Sequence, residues 1–164
     1  MTERLPQSTT ELVADIEREW NALWRAVERL TPEQMTAPDA GGWSPKDNLA
    51  HLAQWLRVLM GYRMDGRPAH EVMGVSSDVT RDWDFDAMNA VLLEQSRGQT
   101  TEAVLDDLKD VYGALIEKLR SIPFADLIKP PPADYPEQPR LLERVLGYTT
   151  EHFAEHRAMI EKTV

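Results

Sequence analysis

Apolar residues along the chain form four long helical stripes, separated by stretches that keep no period. In the first stripe Leu12, Val13, Ile16, Trp20, Leu23, Trp24, Val27 and Leu30 recur at intervals of three and four, with Ser8, Thr9 or Thr10 placed to cap it. Asp15, Glu17, Arg18, Glu19, Arg25, Glu28 and Arg29 occupy the remaining positions and make a solvated face. Thr31-Pro32 predicts one short helical turn through Met35 and then a loop over residues 36–42. Ser44-Pro45-Lys46-Asp47 opens a second helix, apolar around most of its circumference from Leu49 to Tyr62, which belongs at the centre of a bundle. Asp65-Gly66-Arg67-Pro68 ends it.

From 65 to 84 scattered Gly, Pro, Ser and Asp erase any period, and a connection this long inside a compact domain predicts a crossover, a lid or a binding segment. Such a crossover lets the second and third main helices lie apart or parallel. Phe85, Met88, Val91 and Leu92 predict a helix stopping near Arg97-Gly98, and Ala103, Val104, Leu108, Val111, Tyr112, Leu115, Ile116 and Leu119 mark the third main helix, to about Ser121. Lys129-Pro130-Pro131-Pro132 is a rigid extended connector. The last helix covers residues 140–162, with Leu141, Leu142, Val145, Leu146, Tyr148, Thr149, His152, Phe153, His156, Met159 and Ile160 on its buried side. No β-branched alternation occurs. The expectation is an all-α fold: a single domain over residues 1–164, built as a four-helix bundle with a long crossover between helices 2 and 3 and one or two short extra helices.

The chemistry worth pursuing lies in the histidines, of which the chain has four. His152 and His156 share one face of the last helix a turn apart, so their ring nitrogens can converge on one ion. His51 sits in the apolar second helix, where a histidine must find a hydrogen-bond partner or bind something. Together the three make a candidate site with a coordination position left for water or substrate, suited to zinc, nickel, copper or iron. Asp47 and Tyr148, each one turn before a candidate ligand, and Trp55, one turn after His51, are candidates for supporting or pocket-lining roles, with a helix-start carboxylate and a core tyrosine as equal readings of the first two. The other tryptophans read as core, and His70 reads as a surface residue of the crossover.

Composition narrows the field. With no cysteine the chain has neither disulfides nor thiolate metal ligands, which fits a reducing cytoplasm. A formal charge of −10 predicts no nucleic-acid partner, and no apolar run approaches the length of a membrane span.

With these residues placed, the chain resembles the DinB-like superfamily of four-helix bundles. Gly42-Trp43-Ser44-Pro45-Lys46-Asp47-Asn48-Leu49-Ala50-His51-Leu52 and Glu151-His152-Phe153-Ala154-Glu155-His156 carry the resemblance, which extends over nearly the whole chain. The Trp-Ser opening, Trp83-Asp84 through Asn89, and the Glu-His-Phe-x-x-His ending look most like the DfsB or colibactin-resistance branch. The resemblance implies a divalent metal, zinc or nickel, held by His51, His152 and His156. It also implies one of several activities: transfer or isomerisation with a low-molecular-weight thiol, or hydrolytic self-protection. The sequence-level expectation is a metal-dependent hydrolase or thiol-dependent transferase acting on a small electrophile. Its alternatives are a bundle that binds a small molecule or toxin without chemistry, and a structural homodimer with vestigial histidines, joined through the apolar surplus of the first and third main helices. No residue identifies itself as a general base.

Overall fold

The computed structural model describes residues 4–164, and every regular element among them is helical. α1 (Thr9–Val27) and the single-turn α2 (Pro32–Thr36) precede α3 (Pro45–Val58), which widens at its end into a π-helical turn, Leu59–Met64. The crossover carries α4 (Ala69–Met73) and α5 (Ser77–Arg81), and α6 (Phe85–Ser96) then leads to α7 (Thr101–Ser121). Past α8 (Phe124–Leu127), the last helix runs as α9 (Leu141–Leu146), a second π-helical turn (Gly147–Glu151) and α10 (His152–Glu161). The expected all-α fold holds. There are more short helices than expected, because α4 and α5 are each only five residues and cannot display a period.

Local chemistry sets the helix starts. Ser8 Oγ accepts from Glu11 N, and Thr31 with Gln34 and Ser44 with Asp47 form reciprocal capping boxes, each with a proline in the first turn.

Contacts between helices fix their directions. Lys46 bonds the Gln99 carbonyl at 2.7 Å, Arg57 pairs with Asp107, and Lys118 Nζ lies 2.6 Å from Asp65, so α3 and α7 ascend together. Trp20 stacks on Tyr112 and Arg120 reaches Glu17, so α1 runs against α7. Asn48 meets His156, His51 meets His152 and Trp55 meets Tyr148, so the last helix descends past α3. The crossover therefore joins two parallel, adjacent helices, which a short loop could not do.

Leu49, Leu52 and Leu56 of α3 are fully buried, as are Leu12, Ile16, Leu23, Leu108, Leu115 and Phe153 from the surrounding helices. Each such side chain contributes about 1.5–3 kcal/mol of burial. The apolar residues of α1 and α7 meet inside the bundle, and the exposed large hydrophobics among the described residues are Leu5, Phe85, Ile128, Tyr135, Met159 and Val164. A smaller cluster of Trp55, Val58, Met73, Met88 and Leu92 holds the crossover against the outer face of α3. There Val72 packs so closely on Gly61 that an added Cβ would sit 2.7 Å from its Cγ2.

Candidate metal centre

His51 comes from the second turn of α3, while His152 and His156 come from the first two turns of α10. The Nε2 atom of His152 is 3.0 Å from that of His51 and 3.1 Å from that of His156. One ring nitrogen from each residue lies within 4.8 Å of the others, as a shared ion requires.

The hydrogen bonds around His156 fix which nitrogen carries the lone pair. Asn48 Nδ2 donates to the Ser44 carbonyl at 2.9 Å, which orients the amide. Its Oδ1 must then accept, and it lies 2.5 Å from His156 Nδ1. The proton of the neutral ring is thereby held on Nδ1, and the bare Nε2 faces the other two imidazoles. Burial holds all three rings far below the ordinary imidazole range. His51 falls to about 2, lowered further by His156 and His152; His156 falls to about 3, lowered further by His152; and His152 falls to about 4. Neutral rings with converging nitrogens are the form that ligates, so the donor set fits a divalent metal of borderline softness.

The Nδ1 atom of His51 is buried with no hydrogen-bond partner among the described residues. Asp47 does not serve it. Its carboxylate accepts from Ser44 N at 2.9 Å and from Ser44 Oγ at 2.8 Å, closing the helix cap.

The trio opens onto a cleft of about 680 Å³, within the range of small-molecule sites. Trp43, Trp55, Phe85 and Tyr148 wall it, Asp39 and Glu155 stand on its rim, and Arg63 and Arg144 line it together with Tyr148. Trp43 meets His51 edge-on at 5.3 Å, and Trp55 is fixed by its indole N–H donating to Asn89 Oδ1 at 2.9 Å. Both π-helical turns border this region. In the second, Thr149 and Thr150 return hydrogen bonds to the carbonyls of Val145 and Leu146, and the turn places Tyr148 and His152 on the cleft together. His70 lies on α4, outside the cleft lining.

Of the residues expected from sequence, His51, His152, His156, Trp55 and Tyr148 therefore line one cleft and Asp47 does not. Sequence reasoning missed Asn48, Arg63, Arg144, Phe85, Asn89 and Glu155. For Asn48 a signal existed: it is a polar residue inside an apolar helix, one turn before His51 on the same face.

Residues 15–160 match the DinB superfamily. This chain belongs to the DinB superfamily. Solved structures agree on the fold. The colibactin self-resistance protein ClbS, crystallised in complex with dsDNA, is 15% identical, with 98% of this chain and 97% of that one covered at a TM-score of 0.76. The sibling lethal factor precursor DfsB is 16% identical, covering 96% and 95% at 0.77. A protein from Streptococcus pneumoniae is 15% identical, covering 97% and 91% at 0.78. No curated protein sequence matches significantly. The expectation of no nucleic-acid partner, drawn from net charge, is corrected by the ClbS complex: a DinB-type bundle of this shape is solved on a duplex. Net charge is a sum over the whole surface, whereas phosphate contacts are local. No helix among the described residues is long and apolar enough to cross a membrane.

Proposed function

We propose that this DinB-superfamily protein is a divalent-metal enzyme that directs a water or a small thiol onto a small electrophile. The observation that carries this reading is the convergence of three neutral imidazole nitrogens at the wall of an open, aromatic-lined cleft. Three protein ligands with solvent access leave a position for chemistry, whereas a structural site would be closed by a fourth ligand. His51, His152 and His156 would hold the metal; their softness suits zinc, nickel, copper or iron, and the family resemblance favours zinc or nickel. When bound, such an ion acts as a Lewis acid that lowers the pKa of a water or thiol nucleophile.

The chain's own residues do the rest. Trp43, Trp55, Phe85 and Tyr148 bind the apolar body of the substrate and exclude bulk water. Glu155 lines the cleft with no hydrogen bond or ion pair among the described residues, which leaves it the free carboxylate of the lining for the role of proton acceptor. Asp39, the other carboxylate, is occupied by the amides of Gly41 and Trp43.

The test is metal analysis of purified protein, followed by a screen of thiol and electrophile pairs and of activated esters and epoxides. The reading expects about one metal per chain, and turnover that disappears on chelation and falls in Glu155→Gln with metal content unchanged. A metal-loaded protein that binds electrophiles without turning them over would support the sequestration reading instead. Because ClbS is solved with dsDNA, a duplex belongs in the same screen.

A further inference from the structure

Arg57, Arg140 and Arg157 are partly buried arginines, and each pairs with a carboxylate: Asp107, Glu143 and Glu19 respectively. Arg63 and Arg144 are also partly buried, yet neither forms an ion pair among the described residues. Carboxylates are not scarce, since the chain has 28 acidic residues against 18 basic ones. Burial holds the Arg144 guanidinium below its ordinary value, and the nearby Arg63 charge lowers it further. Two partly desolvated like charges without a counter-ion are costly to keep together. Both line the cleft.

Arg63 is also aimed. Its guanidinium lies 4.7 Å from the Tyr62 ring centroid and 4.9 Å from that of Trp83, and its Nε is 3.5 Å from the Tyr148 hydroxyl. Trp83 takes its place with φ of 51°, a left-handed backbone that a bulky residue adopts only under constraint. Tyr62 and Trp83 line a neighbouring recess that Arg63 borders as well as the cleft, and the contact with Tyr148 ties the arginine to the cleft side, with no carboxylate paired to it among the described residues.

Resting on the metal-enzyme reading above, we propose that Arg63 and Arg144 form an oxyanion subsite of the cleft, so that the substrate is a small molecule carrying a carboxylate or phosphate remote from its reacting group. A forked guanidinium pair suits a planar or tetrahedral oxyanion held by several charge-assisted hydrogen bonds. Arg144 is eight residues before His152, about 12 Å along a helix, so the anion and the electrophilic centre are separated by an extended stem. Trp55 and Tyr148, packed on each other with ring centroids 6.0 Å apart, form a wall against which that stem would lie.

The test uses the full chain loaded with zinc and two hydroxamates with the same metal-binding head and stem. Suberic acid monohydroxamate ends in a carboxylate; octanohydroxamate does not. Calorimetric titration into wild type should give the carboxylate ligand an advantage of at least about tenfold. Arg63→Gln and Arg144→Gln should each remove most of that ratio and leave octanohydroxamate within about twofold of its wild-type affinity. Equal affinities in wild type, or a ratio that survives both substitutions, would overturn the subsite. Octanohydroxamate reports the metal centre by itself, so its failure to bind counts against the metal reading alone. In that case inorganic phosphate titrated into metal-free protein decides: it must bind wild type and weaken at least about fivefold in Arg144→Gln, and absence of binding overturns the subsite. If instead both substitutions weaken binding of a DNA duplex and leave the hydroxamate ratio intact, the arginines contact nucleic acid and the proposal fails.

Discussion

Replacing Asn48 with leucine keeps the branching at Cγ, adds some bulk at a buried position, and removes both ends of the hydrogen-bond chain that sets the His156 tautomer. The Ser44 carbonyl keeps a donor, because the Asn48 backbone N–H also reaches it at 3.0 Å. The loss therefore falls on His156 Nδ1–H, which is left buried and unpaired at a cost of about 1–3 kcal/mol in the metal-free protein. Removing the partner that orients a ligating histidine costs about 10–100-fold in metal affinity, or about 1.4–2.7 kcal/mol. Urea denaturation of metal-free protein reads the first quantity, and competition for zinc with a chromogenic chelator reads the second. Asn48→Asp keeps an acceptor for His156, so its zinc affinity should stay within about tenfold of wild type even though a buried carboxylate lowers its stability. If Asn48→Leu binds zinc as tightly as wild type, the hydrogen bond does not set the ligand's lone pair and the reasoning fails.

Acid should destabilise the metal-free protein through its histidines. Their folded values are depressed, so the unfolded chain binds more protons below its ordinary value of 6.5, and stability falls as pH drops through the window from 6.5 toward 4. Between about pH 7 and about pH 5, His51 and His156 should each contribute up to about 2 kcal/mol of this loss. Denaturation midpoints that do not move over that range would count against neutral, buried rings. Phe153→Ala removes a fully buried ring that touches both Trp20 and Tyr112, and should cost about 3–5 kcal/mol by calorimetry or urea unfolding. A loss under about 1 kcal/mol would mean that the bundle repacks there. Trp55→Phe gives up the hydrogen bond to Asn89 but no ligand, so zinc affinity should stay within about threefold while stability drops by about 1 kcal/mol. A tenfold loss of zinc would give Trp55 a role at the metal itself.

How much of this could be read from sequence depends on which interaction carries the information. Helix starts were legible because capping is local: Ser44-Pro45-Lys46-Asp47 holds its own geometry within four residues. The parallel course of α3 and α7 was legible as a possibility from the length of the crossover, which excludes a tight antiparallel turn. The three histidines were legible because two share a helical face and the third interrupts an apolar helix. The π-helical turns at Leu59–Met64 and Gly147–Glu151 were not, since a shift in hydrogen-bond register leaves the hydrophobic stripe almost unchanged. Asp47 takes the helix-start role that its position equally allowed, and Asn48, one position on, supports His156 instead. Arg63 and Arg144 belong to different helices and become a pair only in three dimensions. Nucleic acid was excluded on a charge total, and a total does not describe a surface.

The central claim is that one metal ion is shared by three histidines from two helices. A crystal of zinc-loaded protein, measured on both sides of the zinc absorption edge, tests it most directly. The account predicts a single anomalous peak about 2.0–2.1 Å from the Nε2 atoms of His51, His152 and His156, with its remaining position turned toward the cleft. Anomalous density bound only to surface carboxylates, with no peak among the three rings, would contradict it.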